Sequence, residues 1–300
     1  MIARPSDSAS PLGVFDSGIG GLTVFRELVR ILPEERLRYF GDTARVPYGT
    51  KSGETVIRFT LEAAHFLRDQ GVKGLVVACN TASAYALTAV EDDLGLPVVG
   101  VIESGARAAL AQTRNRRIGV IATTATVTSG AYERALKRLA PDLSLVAKAC
   151  PLFVPLVEEG WTDHPVTRQV AEEYLAPLRA VGVDTLILGC THYPLLKYLL
   201  AQVMGPDVAL IDAGEHTARE VGRRLEAAGL RASGPGAAAA PAGAAAAADP
   251  RGLVALESRD DRIFLTDLQP AFRATGERFL GRKLPPVEVL RWHEEHWARG

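Results

Sequence analysis

The chain has 300 residues, enough for two ordinary domains or one large one and for a sizeable buried core. Its 34 Lys and Arg against 35 Asp and Glu leave a net charge of −1, without the basic excess of nucleic-acid or anionic-membrane proteins. With 47% hydrophobic and 23% charged residues the composition is globular, and three cysteines (Cys79, Cys150, Cys190) exclude a disulfide-stapled secreted scaffold.

Residues 1–10 carry no apolar core and no cleavage pattern, so no secretory signal is expected. A strand is predicted at Leu12–Phe15 and a helix at Gly21–Leu32. Strands at Leu37–Phe40, Gly74–Ala78 and Val98–Val101 follow, with helices at Glu54–Gln70 and Ser83–Leu94 between them. The series resumes with strands at Arg117–Ala122, Ser144–Ala147, Thr185–Leu188 and Val208–Ile211. Helices at Ser129–Leu139, Thr167–Val181 and Leu195–Val203 separate these. The chain is expected to re-enter the fold near Arg262–Thr266, and a helix at Pro270–Leu280 ends the pattern. No stretch approaches the length of a membrane span, and the expected location is the cytoplasm. Alternation of this kind predicts an α/β fold of doubly wound, mostly parallel sheets, with functional loops at the carboxyl ends of the strands.

A weak internal repeat divides the chain. Gly13-Val-Phe-Asp-Ser17 is echoed by Gly119-Val-Ile-Ala-Thr123, and Leu75-Val-Val-Ala-Cys79-Asn-Thr by Leu186-Ile-Leu-Gly-Cys190-Thr-His. Two similar domains related by pseudo-symmetry are expected, one of residues 11–102 plus 212–286 and one of residues 103–211. Residues 232–250 hold only Ala, Gly, Pro, one Ser and one Asp. Such a segment cannot bury enough apolar surface to offset its ordering entropy, and a surface loop without a chemical role is expected there.

Several motifs invite a reading they do not sustain. Asp16-Ser-Gly18-Ile-Gly20-Gly21 lies between a strand and a helix, but Thr23 stands where a dinucleotide fingerprint needs its third glycine. The glycines are instead expected to form an anion site at a helix start, suited to a carboxylate. Gly49-Thr-Lys51-Ser52 lacks the upstream glycine of a phosphate loop. His293-Glu-Glu-His296 lacks zinc-helix spacing, and its histidines are expected to be solvated in a polar tail. None of the six lysines has an evident Schiff-base setting.

Cys79 and Cys190 each end an apolar run and precede a predicted helix, so each is expected at a strand's carboxyl end against a helix N-terminus. Unsatisfied N–H groups there favour an anion and are expected to lower the thiol pKa. Buried inert cysteine is common, and Cys150, with no matching context, is read that way. The ligand set is too small for a metal site, and a redox pair is more often Cys-x-x-Cys. Matched thiols in two facing halves suit a proton exchange needing one base on each face of a stereocentre, in a cleft between the domains.

Gly13-Val-Phe-Asp-Ser-Gly-Ile-Gly-Gly-Leu-Thr-Val, Tyr39-Phe-Gly-Asp-Thr-Ala-Arg-Val-Pro-Tyr-Gly-Thr-Lys-Ser, Ala78-Cys-Asn-Thr-Ala-Ser and Leu188-Gly-Cys-Thr-His-Tyr-Pro-Leu resemble the bacterial glutamate racemases, from about residue 12 to about residue 282. The resemblance implies a cofactor-independent isomerase interconverting L- and D-glutamate and supplying D-glutamate to peptidoglycan. It implies that Cys79 exchanges the α-proton of D-glutamate, assisted by Asp16, and Cys190 that of L-glutamate, assisted by His192 and Glu158. Spacing alone does not choose between Glu158 and Glu159. Substrate contacts are implied for Asp16, Ser17, Tyr48, Gly49, Asn80, Thr81, Thr191 and His192. Read without the resemblance, Asp16 could be an exposed helix cap, the small hydroxyl and amide residues could cap helices, and Tyr48-Gly49 could be a turn. The expected partners are glutamate and a second copy of the chain in a homodimer, with no nucleic acid, membrane or metal.

Three other readings compete: a racemase for another amino acid such as aspartate, a non-catalytic amino-acid-binding protein, and a thiol hydrolase using Cys190 with His192. Without an imine to spread the carbanion's charge, the site must supply donors and exclude water. A closed cleft gated by domain motion is therefore expected.

Overall fold

The computed structural model describes residues 7–232, 259–293 and 296–299, the positions from Trp292 onward by backbone alone. Residues 233–250 of the low-complexity segment and the side chains of His293 and His296 lie outside the described residues.

The chain begins β1 (Leu12–Asp16), α1 (Leu22–Ile31), β2 (Leu37–Gly41), α2 (Gly53–Asp69), β3 (Leu75–Val77), α3 (Asn80–Leu94) and β4 (Val98–Gly100). Helix α4 (Val101–Gln112) leads into β5 (Arg117–Ala122), α5 (Thr124–Thr128), α6 (Ala131–Leu139) and β6 (Ser144–Ala149). Then come α7 (Phe153–Glu158), α8 (Pro165–Ala180), β7 (Thr185–Gly189), α9 (Lys197–Met204), β8 (Ala209–Asp212) and α10 (Ala213–Ala227). After the undescribed segment, β9 (Arg262–Leu265), α11 (Phe272–Leu280), β10 (Val287–His293) and β11 (His296–Arg299) complete the fold.

Two sheets result. The larger has the order β11-β10-β9-β2-β1-β3-β4, parallel except for the antiparallel β10–β11 hairpin, and the smaller is parallel with the order β6-β5-β7-β8. The order β2-β1-β3-β4 recurs as β6-β5-β7-β8, so the repeat seen in the sequence is a repeat of topology. In each half the strand order reverses between the two inner strands, β1 and β3 or β5 and β7, where a crevice opens beyond the carboxyl ends. Phe15 pairs with Val77 and Ala122 with Gly189. Ser17 and Cys79 therefore leave adjacent strands together, as do Thr123 and Cys190.

Some elements had no clear sequence signal. Helix α4 starts at Val101, where a β-branched run reads as strand, and α10 buries a face of small residues that includes Ala213, Gly214, Ala218 and Gly222. The segment after Leu284 is not a tail. Val287, Val289 and Arg291 alternate with Glu288 and Leu290, the period of a strand, and they extend the larger sheet.

Buried strands and aromatic side chains form the core. Phe66 packs on Phe40 and Phe264 at centroid separations of 5.4 and 5.1 Å, and each such side chain contributes about 1.5–3 kcal/mol by burial. Beside this core, at the amino ends of the strands, lies a fully buried ion pair, Lys73 Nζ to Glu35 Oε2 at 2.5 Å. Lys73 also donates to the Ser8 carbonyl at 2.6 Å, and the Ala232 amide donates to Glu35 Oε1 at 2.8 Å. Arg259 donates to the Glu35 and Pro33 carbonyls and pairs with Asp261 at 2.8 Å. Among the described residues, no helix is long and apolar enough to cross a membrane.

Candidate active site

A cavity of about 310 Å³ lies between the carboxyl ends of the two sheets. Ser17, Tyr48, Gly49, Cys79, Asn80 and Thr81 line it from the larger sheet's half, and Glu158, Cys190, Thr191 and His192 from the smaller. Both thiols are buried yet reach this one space, whereas Cys150 sits in the core, its carbonyl accepting from the Tyr193 hydroxyl at 2.8 Å.

Cys79 caps α3, its Sγ accepting from the Ala82 amide at 3.5 Å and donating to Ser17 Oγ at 3.4 Å. The expected lowering of its pKa is not what the structure holds: burial and the nearby Asp16 carboxylate push the thiol up to about 12. Magnitudes explain the correction. A helix terminus gives about 0.3–1 kcal/mol, rarely 2, while desolvation can raise a pKa by 3–5 units at about 1.4 kcal/mol each. Cys190 departs from the expected setting too. It directly follows β7 but leads into a single 3-10 turn, Tyr193–Leu196, before α9 begins at Lys197.

Cys190 has a partner of another kind. His192 Nδ1 lies 3.9 Å from its Sγ, and His192 Nε2 lies 2.9 Å from Glu158 Oε1. Burial alone would lower the imidazole pKa, but the hydrogen bonds to Cys190 and Glu158 outweigh it and lift the value to about 10. The Phe279 ring stands edge-on to the imidazole at 5.1 Å and holds its plane. Helix α7 ends at Glu158, which delivers that carboxylate to the cavity; Glu159, one residue on, is not part of its wall.

Asp16 is neither an exposed cap nor part of the cavity wall. It is 1% exposed, α1 is capped at Gly21 without it, and its carboxylate accepts from the Gly18 amide at 2.9 Å and from Thr191 Oγ1 at 3.5 Å. Burial raises its pKa against the opposing pull of His192. The glycine loop thus does bind a carboxylate, but that carboxylate belongs to the chain. Gly20 and Gly21 serve close approach: a Cβ on Gly20 would collide with Thr191 Oγ1 and stand 2.5 Å from His192 Nδ1.

The Tyr48-Gly49 loop is fixed from behind by buried Asp42, which accepts hydrogen bonds from the Tyr48 hydroxyl and from Thr266 Oγ1, the latter at 2.9 Å, and pairs with Arg45 at 2.7 Å. Lys51-Ser52 opens α2, Ser52 Oγ accepting from the Thr55 amide at 3.3 Å. Sequence reasoning missed Thr123, Thr124, Pro151 and Val154 in the wall. Thr123 was recoverable, because the repeat makes it the counterpart of Ser17. Its Oγ1 joins Thr81 Oγ1 at 3.0 Å and Thr126 Oγ1 at 2.9 Å, a hydroxyl cluster shared between the halves. Among the described residues no group of His, Cys, Asp and Glu is placed to hold a metal ion.

Residues 12–221 match the Asp/Glu/Hydantoin racemase family. A glutamate racemase of Geobacter metallireducens is 50% identical over 276 residues, 92% of this chain and 94% of that protein. The crystal structure of a glutamate racemase isoform from Bacillus anthracis superposes with a TM-score of 0.84 at 38% identity, covering 96% of this chain and 99% of that one. The Francisella tularensis glutamate racemase, crystallised in complex with D-glutamate, gives 0.82 at 36% identity over 94% and 97%.

Proposed function

The chain belongs to the Asp/Glu/hydantoin racemase family, and from that premise we propose that it interconverts L- and D-glutamate through two thiols, supplying D-glutamate for peptidoglycan. The observation that carries this reading is the single cavity lined by Cys79 and Cys190 from topologically equivalent positions in the two halves.

In the proposed reaction one thiolate takes the α-proton. The Cα–H bond breaks, an S–H bond forms, and the electron pair remains on Cα and its carboxylate. The opposite thiol then gives its proton to the other face, leaving a thiolate behind. One turnover inverts the carbon and exchanges the charge states of the two sulfurs. Cys79 acts on D-glutamate with Ser17 and Asp16 beside it, and Cys190 acts on L-glutamate with His192 and Glu158. Burial holds Cys79 as a thiol in the free protein. The substrate's own ammonium group helps to ionise it, because a cation next to the sulfur favours the thiolate. Amide and hydroxyl donors at Asn80, Thr81 and Thr191, with the Tyr48-Gly49 loop, would hold the two carboxylates and stabilise the carbanion. The proposal places the enzyme in the cytoplasm as a homodimer, which sedimentation equilibrium would test.

The functional test is α-proton exchange and loss of optical rotation in deuterated water, with L-glutamate, D-glutamate and L-aspartate supplied separately. Exchange with inversion of both glutamate enantiomers is expected. Inversion of aspartate alone would move the assignment elsewhere in the family, and no exchange at all would favour a binding protein.

A further inference from the structure

Tyr132 lies outside the cavity, on α6 of the smaller sheet's half, and is 3% exposed. Its hydroxyl donates to Oδ1 of Asn80, at 2.7 Å, across the junction between the halves. Asn80 is a cavity residue and follows Cys79 directly. The Tyr132 ring also packs against Gly189, the residue before Cys190, where a Cβ would come within 3.0 Å of its Cε2. One aromatic side chain thus touches the neighbour of each thiol.

The hydrogen-bond chemistry of an amide then fixes a direction. The Asn80 carboxamide carries one oxygen and one NH2 group in its plane, on opposite sides of the Cβ–Cγ axis. With the oxygen engaged by the phenol, the NH2 group turns the other way. Burial above all pushes the phenol pKa upward, so the proton that makes this contact stays in place.

We propose that Tyr132 is a positioning residue that orients the Asn80 amide so that Nδ2 presents its protons to a substrate carboxylate, and that it does so only when the two halves are together. The inference rests on the functional reading of the cavity as an amino-acid site. It adds that closure of the cleft and correct aiming of a binding donor are one event, because the aiming group comes from the opposite half.

The test is a double-mutant cycle on the full chain, read by calorimetric titration with D-glutamate and by steady-state kinetics. Tyr132→Phe keeps the ring and removes the donor. It should weaken binding about tenfold, the lower range for a hydrogen bond to a charged group, and raise KM with kcat little changed. Asn80→Ala should weaken binding more, and the double variant no further than Asn80→Ala alone, since Tyr132 acts through Asn80. Additive losses, or unchanged affinity in Tyr132→Phe, would overturn the proposal.

Asn80→Asp gives a readout that holds even if Tyr132→Phe fails to fold. It keeps the acceptor for the phenol and turns a carboxylate to the cavity, so it should weaken D-glutamate binding by about a hundredfold or more at an unchanged unfolding midpoint. Binding within a few-fold of wild type would mean that the amide faces the other way. Racemisation by the wild-type protein tests the functional reading separately, because the calorimetric arm of the cycle needs only ligand binding.

Discussion

Glu158 Oε1 lies 2.9 Å from His192 Nε2, which gives Cys190 a histidine–carboxylate pair where Cys79 has none. Around Cys79 the equivalent space holds Ser17 and, behind it, Asp16. Pseudo-symmetric strands therefore carry chemically unequal helpers. In the proposed reaction the two faces of the α-carbon would therefore meet different surroundings.

The histidine–carboxylate pair has a pH signature. His192 is lifted to about 10 in the folded protein from an unfolded value of about 6.5. A raised folded pKa contributes stability that is fully present below the unfolded value and is lost as pH rises through the folded one. Denaturant unfolding of wild type and Glu158→Gln from about pH 6 to about pH 10.5 should show the largest gap at the acid end, closing at the alkaline end. A gap independent of pH would show that the imidazolium is not the partner.

Replacing either thiol should separate inversion from exchange. Cys79→Ser and Cys190→Ser should each lose racemisation by roughly 10²–10⁴-fold, the usual worth of a positioned acid or base. Each thiol can still remove and return a proton on its own face. Cys190→Ser should therefore exchange deuterium into D-glutamate, and Cys79→Ser into L-glutamate, both with retention. Equal exchange of both enantiomers by either variant would sink the one-thiol-per-face scheme.

Gly20→Ala tests the close approach of the glycine loop to the second thiol's segment. The added methyl would overlap Thr191 Oγ1 and stand 2.5 Å from His192 Nδ1, so the loop or the histidine must shift. Overpacking of this kind costs about 1–3 kcal/mol, and a shift of roughly 1 Å at a reacting group can cost about 10²-fold in rate. Kinetics and thermal unfolding should both fall; wild-type kinetics would show that the histidine segment is not held there.

The buried Lys73–Glu35 pair makes a prediction about the fold alone. Lys73→Met removes the buried cation from the Glu35 carboxylate and leaves it only Arg231, at 4.0 Å; breaking such a pair from one side costs about 3–5 kcal/mol. The substituted site is at the amino ends of the strands, so glutamate turnover per folded molecule should not change. Urea unfolding and activity at matched folded fraction would check both halves of that statement.

The sequence made the thiols legible because an apolar run ending in Cys and followed by small polar residues occurs twice, and both copies sit beyond inner strands of equivalent sheets. The strand periods were clear for the same reason: fully buried parallel strands are short β-branched runs. Thr124, Pro151 and Val154 were not legible, since wall residues come from segments that share no spacing and meet only in three dimensions. Tyr132 has no motif or spacing of its own; only its hydroxyl's partner distinguishes it. The expected acidification of Cys79 failed because a helix start can be read from a sequence and the depth of burial cannot.

Ala232 and Arg259 are tied to the same glutamate, one by its amide to the Glu35 side chain and the other by its guanidinium to the Glu35 carbonyl. The described chain on either side of the 26 residues between them is therefore held at a single anchor, at the opposite end of the strands from the thiols. This is a natural splice point. A shorter connection between these two ends should cost little, because halving the length of a flexible connection changes its closure entropy by only about 0.6 kcal/mol. By the same logic, a reporter domain or an affinity peptide grafted there would hang from Glu35 and leave turnover at the far end of the sheet undisturbed.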